Sequence, residues 1–127
     1  MGLDAWACEV DEKDFKNDVG PLPEEVRHPD FAYWRKHHEL EKWMSNLYYE
    51  KGGKDWFNLK YVKLSKKDIQ QLYKALLRHD LIDDPGKKYE PYYIMGLAED
   101  LKFIAKALSI LNDPDKKDHC IIYYSWW

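Results

Sequence analysis

The last eight residues, Cys120-Ile121-Ile122-Tyr123-Tyr124-Ser125-Trp126-Trp127, constrain the fold more than any other stretch of this chain. They are mostly β-branched and aromatic, the side chains that fit a pleated surface, and they occupy odd and even positions alike. A strand that is apolar on both faces must be covered on both, so this segment predicts a central strand. Leu3 to Val10 alternates Leu3, Ala5 and Ala7 with Asp4, Trp6 and Cys8, which predicts a second strand with unequal faces. Both chain ends are thereby expected in one sheet. A third strand is expected over Phe57 to Leu64, with a bulge or a shifted boundary because its apolar residues switch faces midway.

Helices are expected around that sheet. Asp30 can cap a long helix reaching about Glu50, with Tyr33, His37, Leu40, Met44 and Leu47 along one stripe and Lys51-Gly52-Gly53-Lys54 as its stop. Ser65-Lys66-Lys67-Asp68 has capping-box spacing and opens a second helix whose stripe is Ile69, Leu72, Tyr73, Leu76 and Leu77. A third helix, from about Leu97 to Leu111, carries Leu97, Leu101, Ile104, Ala105, Leu108 and Leu111 on a broad face. Asp11 to Pro29 is acidic and proline-bearing and predicts a long loop. The fold class is therefore α+β, three helices packed on a small antiparallel sheet.

The 127 residues match a single domain, and a domain of that size removes roughly two-thirds of its unfolded surface from water without metal or disulfide staples. No apolar run is long enough for a membrane span. Twenty basic residues against twenty-three acidic ones give a net charge of −3, which argues against a nucleic acid partner held through its backbone. The Met1 to Trp6 opening lacks the regions of a secretory signal, and Cys8 and Cys120 are the sole cysteines. A cytoplasmic setting without a structural disulfide is the expectation.

Catalytic patterns are weak. Lys51-Gly52-Gly53-Lys54 lacks the spacing of a phosphate loop, and none of Ser45, Ser65, Ser109 and Ser125 sits in a nucleophile elbow. His37, His38 and Glu41 offer metal-ligand types, but two ligands on one helical face do not make a site. No catalytic residue, metal or cofactor is expected. The richer constellation joins Trp34, Arg35 and Lys36 to Tyr124, Ser125 and Trp127. Arginine and lysine neutralise phosphate or carboxylate, Trp34 or Trp127 can stack on a planar group, and Tyr124 and Ser125 can hydrogen-bond to it. These six are the expected ligand-binding residues, provided that the two segments converge on one cavity.

Residues spread along the chain also show a likeness. The Met1-Gly2-Leu3-Asp4 opening, Tyr33-Trp34-Arg35-Lys36, Trp43-Met44, Leu47-Tyr48, Glu50-Lys51-Gly52-Gly53, Phe57-Asn58, Asp100-Leu101, Phe103-Ile104 and the Tyr124-Ser125-Trp126-Trp127 ending carry it. With them the chain resembles an uncharacterised family of small phage and bacterial proteins often labelled phosphoglycerate kinase. A kinase of that name is a much larger two-domain enzyme, so the label implies no activity here. The chain departs from the family at Tyr89 to Gly96, where a Gly-Phe-Phe-Phe-Gly-like loop is usual. The resemblance implies a phage origin and the host cytoplasm. The expected function is a non-enzymatic binding module for a small anionic, nucleotide-like ligand, with the phage setting suggesting a counter-defence sponge. The alternative is an inhibitor or adaptor that meets a host protein through exposed aromatic residues.

Overall fold

The structure, a computed structural model, describes residues 2–23 and 30–127. Among the described residues the chain forms five strands, β1 (Asp4–Asp11), β2 (Val19–Pro21), β3 (Asp30–Arg35), β4 (Lys60–Leu64) and β5 (His119–Trp126), and three α-helices, α1 (His38–Glu50), α2 (Lys66–Leu77) and α3 (Pro91–Leu111). The strands make one antiparallel sheet in the order β2-β4-β5-β1-β3. β5 is its middle strand, as its two-sided apolar sequence requires, and β1 beside it brings both chain ends into the sheet. No helix among the described residues is long and apolar enough to cross a membrane.

Alternation along the strands sorts side chains between two cores. Ala5, Ala7, Trp34, Val62, Leu64, Ile121 and Tyr123 face the helices and meet Leu40 and Met44 of α1, Leu72 and Leu76 of α2, and Phe103 and Ile104 of α3. The other face holds Cys8, Val10, Tyr61, Cys120 and Ile122, covered by Phe15 from the segment linking β1 to β2 and partly by Leu22, just after β2. Each fully buried Leu, Ile or Phe contributes roughly 1.5–3 kcal/mol through the surface it removes from water. Cys8 and Cys120 are free thiols in this second core, and burial pushes both to about 11, so neither is a thiolate at neutral pH.

The long helix expected over Asp30 to Glu50 is divided. Asp30–Arg35 is instead the edge strand β3, paired with β1 through Ala5↔Trp34 and Ala7↔Ala32. The helical spacing of Tyr33, His37 and Leu40 coincides with period-two alternation of aromatic residues over 31–35, and pairing to β1 selects the strand. Lys36 then turns the chain with φ 58°, its amide donating to the Leu3 carbonyl at 2.7 Å, and His37 caps α1.

Other boundaries follow their local chemistry. The Ser65 capping box is present, with Asp68 N–H donating to Ser65 Oγ and Ser65 N–H donating to Asp68. α1 stops at Lys51 and is followed by Gly52 at φ 104°, a left-handed position that glycine takes without strain. Leu59 has φ 54° and β4 starts after it, so the expected strand over Phe57 to Leu64 is shorter. α3 begins at Pro91 rather than Leu97, because proline fits a first helical turn and the exposed Tyr92, Ile94 and Met95 give that turn no apolar periodicity. Within the expected loop Asp11 to Pro29 the chain makes a 3₁₀ turn at Glu12–Asp14 and the short β2, while residues 24–29 lie outside the described residues.

Candidate functional site

Two cavities of ligand size flank α1. The first, of about 630 Å³, lies between β3 and α3 and is bordered at one end by the start of α1. Its centre is Asp100, a carboxylate 2% exposed in the middle of α3. Trp34 Nε1–H donates to Asp100 Oδ1 at 3.0 Å, and His37 Nε2 lies 2.7 Å from Asp100 Oδ2. On the far side of the imidazole the Leu40 amide approaches Nδ1 at 3.5 Å, the helix-capping contact, which assigns the Nε2 proton to the bond with Asp100. Burial disfavours a charged His37 ring, but the hydrogen bond and charge of Asp100, joined by Glu39, outweigh it and hold the His37 pKa above its ordinary value.

Cations surround this buried cluster. Arg35, Lys36, Lys87, Lys102 and Lys106 line the cavity and are exposed. Lys102 is paired with Glu99 at 3.1 Å, whereas no described carboxylate lies within ion-pair distance of Arg35, Lys36, Lys87 or Lys106. Tyr92, Tyr93, Tyr33 and Phe31 add ring surface. Tyr92 is 89% exposed, and Tyr93 is held by its hydroxyl, 2.6 Å from His79 Nδ1. Lys36 supports its side chain from a left-handed backbone, a conformation that costs a residue with a Cβ on the order of 1 kcal/mol or more.

The second cavity, of about 670 Å³, opens between α1 and the segment after it, with Trp56, Trp127, Tyr49 and Phe57 among its walls. Glu41 of α1 lines it and accepts hydrogen bonds from Tyr123 Oη at 2.9 Å and Ser125 Oγ at 2.8 Å. Burial raises the Glu41 pKa, and the hydrogen bonds from Ser125 and Tyr123, with the Trp127 ring and the charge of His38, offset this only in part. Trp127 is fixed by Nε1–H donating to the Phe57 carbonyl at 2.8 Å and by a two-way bond between its backbone and the Asn58 amide at 3.0 Å. Trp56 lies nearly parallel to it, 6.1 Å between ring centres.

The six residues expected to bind a ligand do not share a cavity. Trp34, Arg35 and Lys36 line the first and Trp127 lines the second. Ser125 is fully buried beneath Glu41, and Tyr124 faces the opposite side of the sheet, stacked on Trp6 at 5.1 Å. Period-two alternation along β5 makes this division unavoidable, since Ser125 and Tyr124 are consecutive. Trp34 is 7% exposed, spends its N–H on Asp100 and packs edge-on against Phe103, so it is a wall rather than a stacking platform. β3 alternation likewise places Arg35 on the face away from Trp34, and it meets the cavity at the strand's outer edge. His37 and Glu41, one face of a helix in sequence, serve separate cavities. Among the described residues a group with ligand atoms close enough for a metal is Asp11, Asp118 and His119, remote from both.

Asp100, quoted in the sequence only for the resemblance, is not among the expected site residues although a signal exists: it shares helical spacing with the buried Phe103, Ile104 and Ala107, a carboxylate on an apolar face. Tyr92, Tyr93, Lys102, Lys106 and Trp56 carried no such mark. Comparison with family models, with curated protein sequences and with solved structures finds no match to the chain.

Proposed function

We propose that this protein is a binding module for a small anion bearing a planar ring, a nucleotide-like compound being the best fit, and that the cavity between β3 and α3 receives it. The observation that carries this reading is the gathering of exposed cations without an ion-pair partner among the described residues, Arg35, Lys36, Lys87 and Lys106, around a cavity that also presents Tyr92 and Tyr93 and, as its carboxylates, Glu39, Glu90, Glu99 and Asp100. Of the carboxylates in the same wall, Asp100 and Glu39 are engaged by His37 and Glu99 by Lys102, so a bound phosphate or carboxylate gains charge-assisted hydrogen bonds from cations that none of them pairs. A volume near 630 Å³ falls within the range of small-molecule sites. Tyr92 and the half-buried Tyr93 take the stacking role first assigned to Trp34 and Trp127, and the positive charge that Asp100 favours on His37 adds to the attraction for an anion. Use of the module as a phage counter-defence sponge rests on the resemblance of its sequence.

Mass spectrometry of co-purifying small molecules, followed by thermal shift with AMP, cyclic dinucleotides and inorganic phosphate, tests the reading. A ligand at a hundred times its dissociation constant adds about 2.7 kcal/mol, a rise of roughly 10 °C for a domain of this length. Lys106→Ala and Tyr92→Ala, both at exposed positions, should each weaken binding on the order of tenfold without lowering Tm. Absence of any shift across these anions refutes the reading. Capture of a host protein alongside that absence would favour the adaptor alternative, for which Tyr89, Tyr92, Ile94 and Met95 form an exposed apolar run around the start of α3.

A further inference from the structure

The second cavity is richer in indole surface than the first and poorer in cations. Its walls are the rings of Trp56, Trp127, Tyr49 and Phe57, and its acid is Glu41, half-buried on the inward side of α1. Each Glu41 oxygen receives one hydroxyl hydrogen bond, from Tyr123 and from Ser125, which fixes the carboxylate and leaves acceptor capacity on both oxygens. Those hydroxyls are neutral, and no described cation lies within ion-pair distance of Glu41. Lys42 also lines the cavity and is exposed, but it makes no ion pair with Glu41, and its flexible stem lets the ammonium turn to water. His38, one turn earlier, lines the cavity and is exposed to water. Glu41 is therefore a positioned carboxylate, partly removed from water and without an ion-pair partner among the described residues, beside two indoles.

Trp127 is held at both its indole N–H and its backbone, so its ring is preset rather than recruited. Trp56 is 77% exposed and lies beside it at an interplanar angle of 20°. A core has no use for a tryptophan left that far in water, whereas an organic cation gains from indole faces and a nearby carboxylate together.

We infer that the cavity bounded by Glu41, Trp56 and Trp127 is a binding site for an organic ammonium ion, its alkylated nitrogen resting against the indoles and its charge answered by Glu41. Alkyl groups on nitrogen suit it better than a bare ammonium, because they spread the charge over an apolar surface that matches the rings and costs less to strip of water. This site is separate from the proposed anion site and does not depend on it.

Calorimetric titration with choline, with indole fluorescence as a second readout, tests the assignment, and 3,3-dimethyl-1-butanol serves as a neutral probe of the same shape. Choline is expected to bind saturably and at least on the order of tenfold more tightly than the neutral alcohol. Trp56→Ala, at an exposed position, should lower choline affinity severalfold with Tm unchanged. Glu41→Gln, which keeps an acceptor for one hydroxyl, should abolish the preference for choline over the alcohol. Arg35→Ala should leave choline binding intact, so failure of the anion reading would not touch this one. Equal affinity for the two probes, or no saturable choline binding to the folded wild-type protein, overturns the assignment.

Discussion

Replacing Asp100 with alanine strikes the one buried carboxylate on which the first cavity is built. In the native protein it accepts from Trp34 Nε1 at 3.0 Å and from His37 Nε2 at 2.7 Å, and no buried side-chain polar atom among the described residues lacks a partner. Alanine would leave the Trp34 donor with nothing to bind in an apolar site and the His37 donor with only partial access to water. An unsatisfied buried donor costs about 1–3 kcal/mol, so the two together cost roughly 2–5 kcal/mol. The higher helix propensity of alanine returns about 0.5 kcal/mol, for a net loss of roughly 2–4 kcal/mol. An unfolding entropy of about 2.1 cal/mol/K per residue converts this, for 127 residues, to a fall in Tm of roughly 7–15 °C. Urea unfolding followed by circular dichroism and by tryptophan fluorescence measures the change, with an unchanged slope expected. Asp100→Asn should fall between the two proteins, because its carbonyl can serve Trp34 while its amide confronts His37. In a Trp34→Phe background the Asp100→Ala cost should shrink by at least about 1 kcal/mol, the sign of coupling through a shared hydrogen bond. A cost below about 0.5 kcal/mol, or full additivity with Trp34→Phe, would refute this account of the cluster.

Two further outcomes follow from the same geometry. The folded His37 pKa is raised above its ordinary value, so the proton-linked stability it contributes is fully present below about pH 6.5 and declines as pH rises through the folded value. His37→Gln should therefore cost more stability at pH 6 than at pH 9 in urea titrations, and an equal cost at both would remove the link to Asp100. Gly53→Ala should destabilise the protein by about 1–3 kcal/mol although Gly53 is not in a left-handed conformation, because a Cβ there would overlap the ring of Tyr48, itself buried and stacked on Phe57. An unaltered thermal transition for that variant would contradict the packing described.

The candidate sites were less legible than the fold for a definite reason. The Ser65 cap and the two-sided apolar character of β5 are written in neighbouring residues and the structure keeps both, while the helical stripes hold in part: Leu40 and Met44, Ile69, Leu72 and Leu76, and Ile104 are buried, but Tyr33 lies in β3 and Tyr73, Leu77 and Ala105 are exposed. The first cavity joins Trp34 and His37 to Asp100 across 66 and 63 residues, a pairing for which one sequence holds no local sign. Glu41 was noticed as a helical neighbour of His37, yet its hydroxyl partners sit at the other end of the chain. The aromatic and basic residue types were the right ones to watch, but strand alternation distributes them over two cavities and two faces of the sheet.

What the sequence determined by itself is a set of short-range choices: where α2 starts, where α1 and α3 stop, and which strand is buried on both faces. These depend on caps, periodicity and turn chemistry within a few residues. Tertiary structure alone decided that Asp30–Arg35 is a strand, since 31–35 satisfies helical and extended spacing alike until β1 offers its unpaired backbone groups. It also decided that Asp100 is buried and satisfied, and that Glu41 faces aromatic rings without an ion-pair partner among the described residues. Each of these depends on which distant groups arrive to share the desolvation of a polar atom.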